Sequence, residues 1–83
     1  SEGSLVLTLP EAAYRERGAA LLDLARKELR QARVESLAQR GGEMVVSLRF
    51  RDRQEKALAL EARLREVVPL SGFVAVFPRP GAW

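Results

Sequence analysis

Three serines, two glutamates, a Gly-Gly pair and two arginines are the side chains of this 83-residue chain whose types and spacing could do chemistry. Ser36, Ser47 and Ser71 offer hydroxyls, but a serine attacks only when a neighbouring base takes its proton. The chain has no histidine and no cysteine, which removes the commonest general base, the commonest zinc ligand and all thiolate chemistry. No lysine stands beside the serines in a pattern that would replace histidine. Glu35 and Glu43 are placed to face each other across a hairpin, as an acid/base pair would, yet two acids flanking a turn read first as solvated charges. Gly41-Gly42 lacks the spacings of phosphate-cradling loops and reads as a hairpin turn. Arg49 and Arg51, at alternate positions of one segment, could meet phosphate. No catalytic residue, no cofactor-binding residue and no metal ligand is assigned, and the chain is expected not to be an enzyme.

The segment carrying those arginines organises the rest. In Gly41-Gly42-Glu43-Met44-Val45-Val46-Ser47-Leu48-Arg49-Phe50-Arg51-Asp52, Met44, Val46, Leu48 and Phe50 share one side of an extended chain. Glu43, Ser47, Arg49 and Arg51 share the other, with Val45 out of pattern, so the period is that of a half-buried strand. Upstream, Ser4-Leu5-Val6-Leu7-Thr8-Leu9-Pro10 is a shorter strand with Leu5, Leu7 and Leu9 on one face, ended by Pro10. From Glu11 the period turns helical, with Tyr14, Gly18, Leu21, Leu22, Ala25, Leu29 and Ala32 in one stripe and Glu11/Arg15 and Asp23/Lys27 as i,i+4 pairs outside it. Gly18 inside that helix costs roughly 1 kcal/mol against Ala, which points to close helix-to-sheet packing. The irregular Arg33-Val34-Glu35-Ser36-Leu37-Ala38-Gln39 reads as an edge strand with a bulge. Asp52-Arg53-Gln54-Glu55 is a capping box opening a helix with Ala57, Leu60, Leu64, Val67 and Val68 on one face and Pro69 as its stop. Phe73-Val74-Ala75-Val76-Phe77 is the last strand.

Strand, helix, strand, strand, helix, strand is the ferredoxin-like plan: an α+β βαββαβ sandwich, with a four-stranded antiparallel sheet and two helices on one face. The first and third strands are central, and the second and fourth are edges. Residues 1–4 read as a linker or remnant, 5–77 as the domain and 78–83 as a tail in which Trp83 either packs back or stays free. With 47% hydrophobic residues the chain can fold, around one modest core. A net charge of +3 arises from 14 basic against 11 acidic residues, all but two of the basic ones arginine. The acids are interspersed, so the surface reads as solvated. No apolar run approaches the ~20 residues of a membrane span, no signal peptide precedes the first strand, and no direct membrane insertion by this segment is expected. The chain reads as a domain cut from a longer protein.

This plan leaves one sheet face uncovered, displaying Val6, Thr8, Val45, Ser47, Arg49, Arg51 and either Val74 and Val76 or Phe73 and Phe77. RNA-binding domains of this shape stack bases on aromatics of the central strands. Val, Thr, Ser and Arg stand there instead, so nucleic acid is not the expected partner. Such a face suits another sheet, and the last strand, apolar on both sides and at an edge, can pair with a neighbouring strand. The candidate interface is therefore Val6, Thr8, Val45, Ser47, Arg49, Phe73, Val74, Val76 and Phe77. The expected partner is a second copy, as a homodimer, or a neighbouring domain of the parent protein.

Arg33-Val34-Glu35-Ser36-Leu37, the Met44-to-Phe50 strand, the helix through Leu64 and the ending Pro69-Leu70-Ser71-Gly72-Phe73-Val74-Ala75-Val76 are similar to ACT-like regulatory domains. Ser71-Gly72-Phe73-Val74-Ala75-Val76 mimics their Gly-turn-strand ending. Within that group the chain most resembles the soluble C-terminal domains of bacterial membrane proteins of the MgtC/SapB type, over about residues 5–77. The resemblance implies a non-catalytic regulatory or oligomerisation module, cytoplasmic and tethered to a membrane protein, without cofactor. Amino-acid-sensing ACT domains use a Gly-containing loop after the first strand, whereas Leu9-Pro10-Glu11-Ala12-Ala13 has none. The related soluble domains of cation-diffusion transporters hold metal through histidine, absent here. The alternative is a periplasmic ferredoxin-like assembly domain of a secretion or pilus system, and a lesser one is nucleic-acid binding. Acylphosphatase-like chemistry needs an asparagine, and the chain has none.

Overall fold

The computed structural model describes residues 1–78 of the chain. Its elements are β1 (Glu2–Pro10), α1 (Glu11–Glu28), β2 (Arg33–Arg40), β3 (Glu43–Arg51), α2 (Gln54–Arg65) and β4 (Gly72–Val76). All four strands pair antiparallel in one sheet of order β2-β3-β1-β4, with β1 and β3 in the centre. This is the ferredoxin-like α+β plan.

Alternation decides which sheet face is covered. Leu5, Leu7 and Leu9 of β1 and Val46, Leu48 and Phe50 of β3 are buried, and they form one cluster with Leu21 and Ala25 of α1 and Ala57, Leu60 and Leu64 of α2. Each large aliphatic side chain fully withdrawn from water contributes about 1.5–3 kcal/mol, so this layer between sheet and helices holds the fold. The β2–β3 hairpin closes through Gly41, whose φ of 60° is left-handed. It is the first of two loop residues, where a type II′ hairpin wants glycine.

β1 starts at Glu2, inside the stretch expected to be a linker. Glu2, Gly3 and Ser4 pair with Arg51, Phe50 and Arg49, and the Ser1 carbonyl accepts the Asp52 N–H at 2.8 Å. Gly3 is buried because a ring stack fills the space above it, Phe50 and Phe77 meeting edge to face at 6.0 Å.

α1 ends four residues before the stripe of apolar residues does. Leu29 turns extended, with φ −121° and ψ 133°, and Gln31 takes a left-handed φ of 56°, so Ala32 belongs to the turn. Leu29 is still buried, because a chain leaving the helix there can tuck the same side chain into the core. Gly18 has a different reason from helix-to-sheet packing. A Cβ there would stand 3.0 Å from the Tyr14 ring one turn earlier, so the glycine makes room for Tyr14 along its own helix. The expected Glu11/Arg15 and Asp23/Lys27 pairs are absent among the described ion pairs. Asp23 leans instead to Arg26 at 3.9 Å, and Glu61 is held by Arg65 through Nε at 3.1 Å and Nη2 at 2.9 Å.

The capping box does not form. α2 begins at Gln54 with Arg53 at its cap position and no side-chain cap hydrogen bond, because Asp52 is engaged elsewhere. Its Oδ1 accepts the Arg53 N–H at 2.7 Å and its Oδ2 the Arg30 N–H at 3.1 Å, tying the turn after α1 to the entry of α2. The tail from 79 to 83, with Trp83, lies outside the described residues.

Candidate functional site

The sheet face away from the helices is built rung by rung. Ser36, Ser47, Val6 and Val74 align across the four strands, as do Ala38, Val45, Thr8 and Gly72. Toward one end, Arg33, Arg49, Ser4 and Val76 make the next rung, and Arg51 pairs with Glu2 beyond it. Val74 and Val76 are 56% and 52% exposed, while Val6, Thr8, Val45, Ser47 and Arg49 are half-buried by their neighbours. The face thus has Val74 and Val76 on β4, Val6, Thr8, Val45 and Ser47 on the central strands, Ser36 and Ala38 on β2, and arginine at one corner.

β4 was apolar on both parities, and register settles which side faces out. Phe73 pairs with Leu7 and Ala75 with Leu5, and Phe73, Ala75 and Phe77 pack on the core. Phe73 and Phe77 therefore leave the candidate face and belong to the helix side. The physical reason is space: Phe77 completes the edge-to-face stack on Phe50, and the valines need less depth. Sequence reading missed Ser4, Arg33, Ser36, Ala38 and Gly72, which join the face. The bulge between Val34 and Ser36 flips the parity of β2, and an irregular polar run gives no period from which to place it.

Glu35 and Glu43 do not meet. Glu35 lies at the bulge, 3.4 Å from the Arg49 Nε, whereas Glu43 pairs with Arg40 at the turn and accepts the Ser71 hydroxyl at 2.6 Å. That Ser71–Glu43 pair is exposed to solvent, as a surface hydrogen bond between two neighbouring elements. Ser36 and Ser47 face each other with no acid or base between them. Asp52 is the one charged side chain buried among the described residues, 5% exposed. The Arg30 N–H above all, then the Arg53 N–H, hold its carboxyl below the usual carboxylate range, with the Arg30 and Lys56 charges adding to this against the cost of burial. A carboxylate so satisfied is a poor proton acceptor, and its role is to join two elements. No group of three or more His, Cys, Asp or Glu that could hold a metal occurs among the described residues, and no described helix is long and apolar enough to cross a membrane.

No protein-family model matches the chain, and no curated protein matches it. A solved structure that does is described as "De novo designed protein Foldit4", with 21% identity, a TM-score of 0.62, and coverage of 95% of this chain and 100% of that one. At that identity the likeness shows the fold alone.

Proposed function

We propose that this domain is a non-catalytic regulatory or oligomerisation module that associates with a second copy of itself through the open sheet face. The observation that carries the reading is the pair Val74 and Val76, each more than half exposed, beside Val6 and Val45 on a layer that no described element covers. An uncovered valine patch loses unfavourable hydration when a like surface closes over it.

The size of the face sets the strength. Four strands ~4.8 Å apart and about six residues long at ~3.3 Å offer roughly 300–400 Å² per copy. Two copies bury well under the ~1,200 Å² of a stable standard interface, so free domains associate weakly, while copies held together by a parent protein do so far more readily through effective concentration. That regime suits a regulatory part of a larger bacterial membrane protein, the setting that the ACT-like ending suggests.

Light scattering over a series from about 10 μM to 1 mM tests this. A mass that rises toward the dimer, and stays at the monomer when Val74→Ser and Val76→Ser are combined without loss of the folded circular-dichroism spectrum, is the expected result. A strict monomer throughout, or association indifferent to the two serines, refutes the face as interface.

A further inference from the structure

We propose that the cleft between the C-terminal end of α1 and the N-terminal end of α2 binds an oligophosphate, either an inorganic chain or the phosphate tail of a nucleotide. It lies on the helix layer, opposite the open sheet face, and stands independently of self-association.

The cleft has a volume of about 390 Å³ and is lined by five cations: Arg26, Lys27, Arg30, Arg53 and Lys56. Two acids share the lining, Glu28 and Asp52, and neither pairs directly with a lysine, although the Asp52 and Lys56 charges feel one another. Glu28 takes Arg63 at 3.0 Å, and both Asp52 oxygens accept backbone N–H groups, with the Arg30 Nε at 3.6 Å from Oδ1. Lys27 and Lys56 have no carboxylate within 4.0 Å among the described residues. Arg26 and Arg53 reach only exposed neighbours on their own turns, Asp23 at 3.9 Å and Glu55 at 3.5 Å, and such contacts are readily exchanged for a ligand's oxygens.

Local structure accounts for only part of this cluster. Cations near the C-terminal end of α1 complement the helix dipole, but Arg53 and Lys56 stand at the positive end of α2, where the dipole disfavours them. Sequence choices that oppose the local field are where functional or strained positions are sought. Arginine forks and lysine points together match multidentate phosphate oxygens. Leu29 is the one apolar residue and no aromatic side chain stands among the described lining, so recognition falls chiefly on the phosphates.

Calorimetric titration of the whole chain at low salt, with sodium tripolyphosphate and with ATP as probes, tests the site. One equivalent is expected to bind, and combined Lys27→Glu and Lys56→Glu is expected to weaken it at least about tenfold. Both lysines are exposed, so the variant stays folded, with a small fall in melting temperature from the α1 dipole and the Asp52 carboxylate, and Lys27→Gln with Lys56→Gln gives an intermediate loss of binding. Val74→Ser with Val76→Ser leaves binding unchanged whatever it does to association. Equal affinities identify the phosphate chain itself as the recognised unit. ATP tighter by more than tenfold assigns the nucleotide as the source. No heat with either probe, binding untouched by the lysine variants, or a single-stranded oligonucleotide whose affinity climbs with length above both probes overturns the proposal.

Discussion

Gly3 shows how one atom's worth of space can be decisive. A Cβ at this position would stand 2.6 Å from the tip of the Phe50 ring and 3.1 Å from Phe77, and Phe50 is itself buried, with no free volume to retreat into. The glycine is needed for close approach and not for an unusual backbone angle, since its strand pairs regularly through Glu2, Gly3 and Ser4. Gly3→Ala therefore has to break the Phe50–Phe77 stack or pry the start of β1 from β3, and overpacking of this kind costs about 1–3 kcal/mol. A urea titration reads it as a lowered midpoint at unchanged slope. A loss under about 0.5 kcal/mol, ordinary for a surface change, would mean that the rings yield freely. Sequence could not announce this residue: Ser1-Glu2-Gly3-Ser4 has a linker's composition, and only pairing across to Phe50 reveals its place.

At the scale of elements, alternation made the central strands legible, and with them Val6, Thr8, Val45, Ser47 and Arg49 of the candidate face. Periodicity failed where a distant partner overrides it. Leu29 and Ala32 keep helical spacing, yet the chain leaves α1 at Glu28, and Asp52 abandons the capping box; one event explains both, the capture of the Arg30 N–H by the Asp52 carboxylate 22 residues away. The consequence is testable by pH. Asp52 binds its proton less readily folded than unfolded, so its stabilisation is complete well above the ordinary value of 3.8 and is lost as pH falls past that value through the lower folded one. Asp52→Asn places an amide among backbone donors, and it is expected to be less stable than the parent protein at pH 7. That gap narrows as pH falls below about 4, because the parent loses what the variant never had. Melting curves from pH 7 to 2.5 check this, and a gap that stays constant over the range would falsify the latch. β4 was ambiguous for a simpler reason, having apolar residues on both parities; packing depth, not pattern, sent Phe73 and Phe77 inward.

Taken whole, the molecule carries two surfaces of opposite character on opposite layers, and ionic strength is the variable that separates them. On the open face, Arg33, Arg49 and Arg51 flank the valines, and two copies closing on one another bring like charges together, eased in part by the Glu35 carboxylate at 3.4 Å from Arg49 and by Glu2 opposite Arg51. Raising sodium chloride from 20 to about 500 mM shortens the screening length from roughly 20 Å to about 4 Å, which suppresses that repulsion while leaving valine burial intact. Association should therefore strengthen with salt. In the cleft the same screening acts on attraction between five cations and a polyanion, so oligophosphate affinity should fall, and steeply, since several charge pairs contribute at once. Chloride is the right counter-ion, because sulfate or phosphate would compete for the cleft and confound the comparison. Dimer mass and tripolyphosphate affinity measured across one salt series are expected to give slopes of opposite sign. If both weaken together, copies meet through charge, with the Glu35 and Arg49 pairs exchanged between them, and the valine face has to be surrendered as the interface. If both strengthen, the cleft recognises something other than charge, and its lysines lose the role assigned to them.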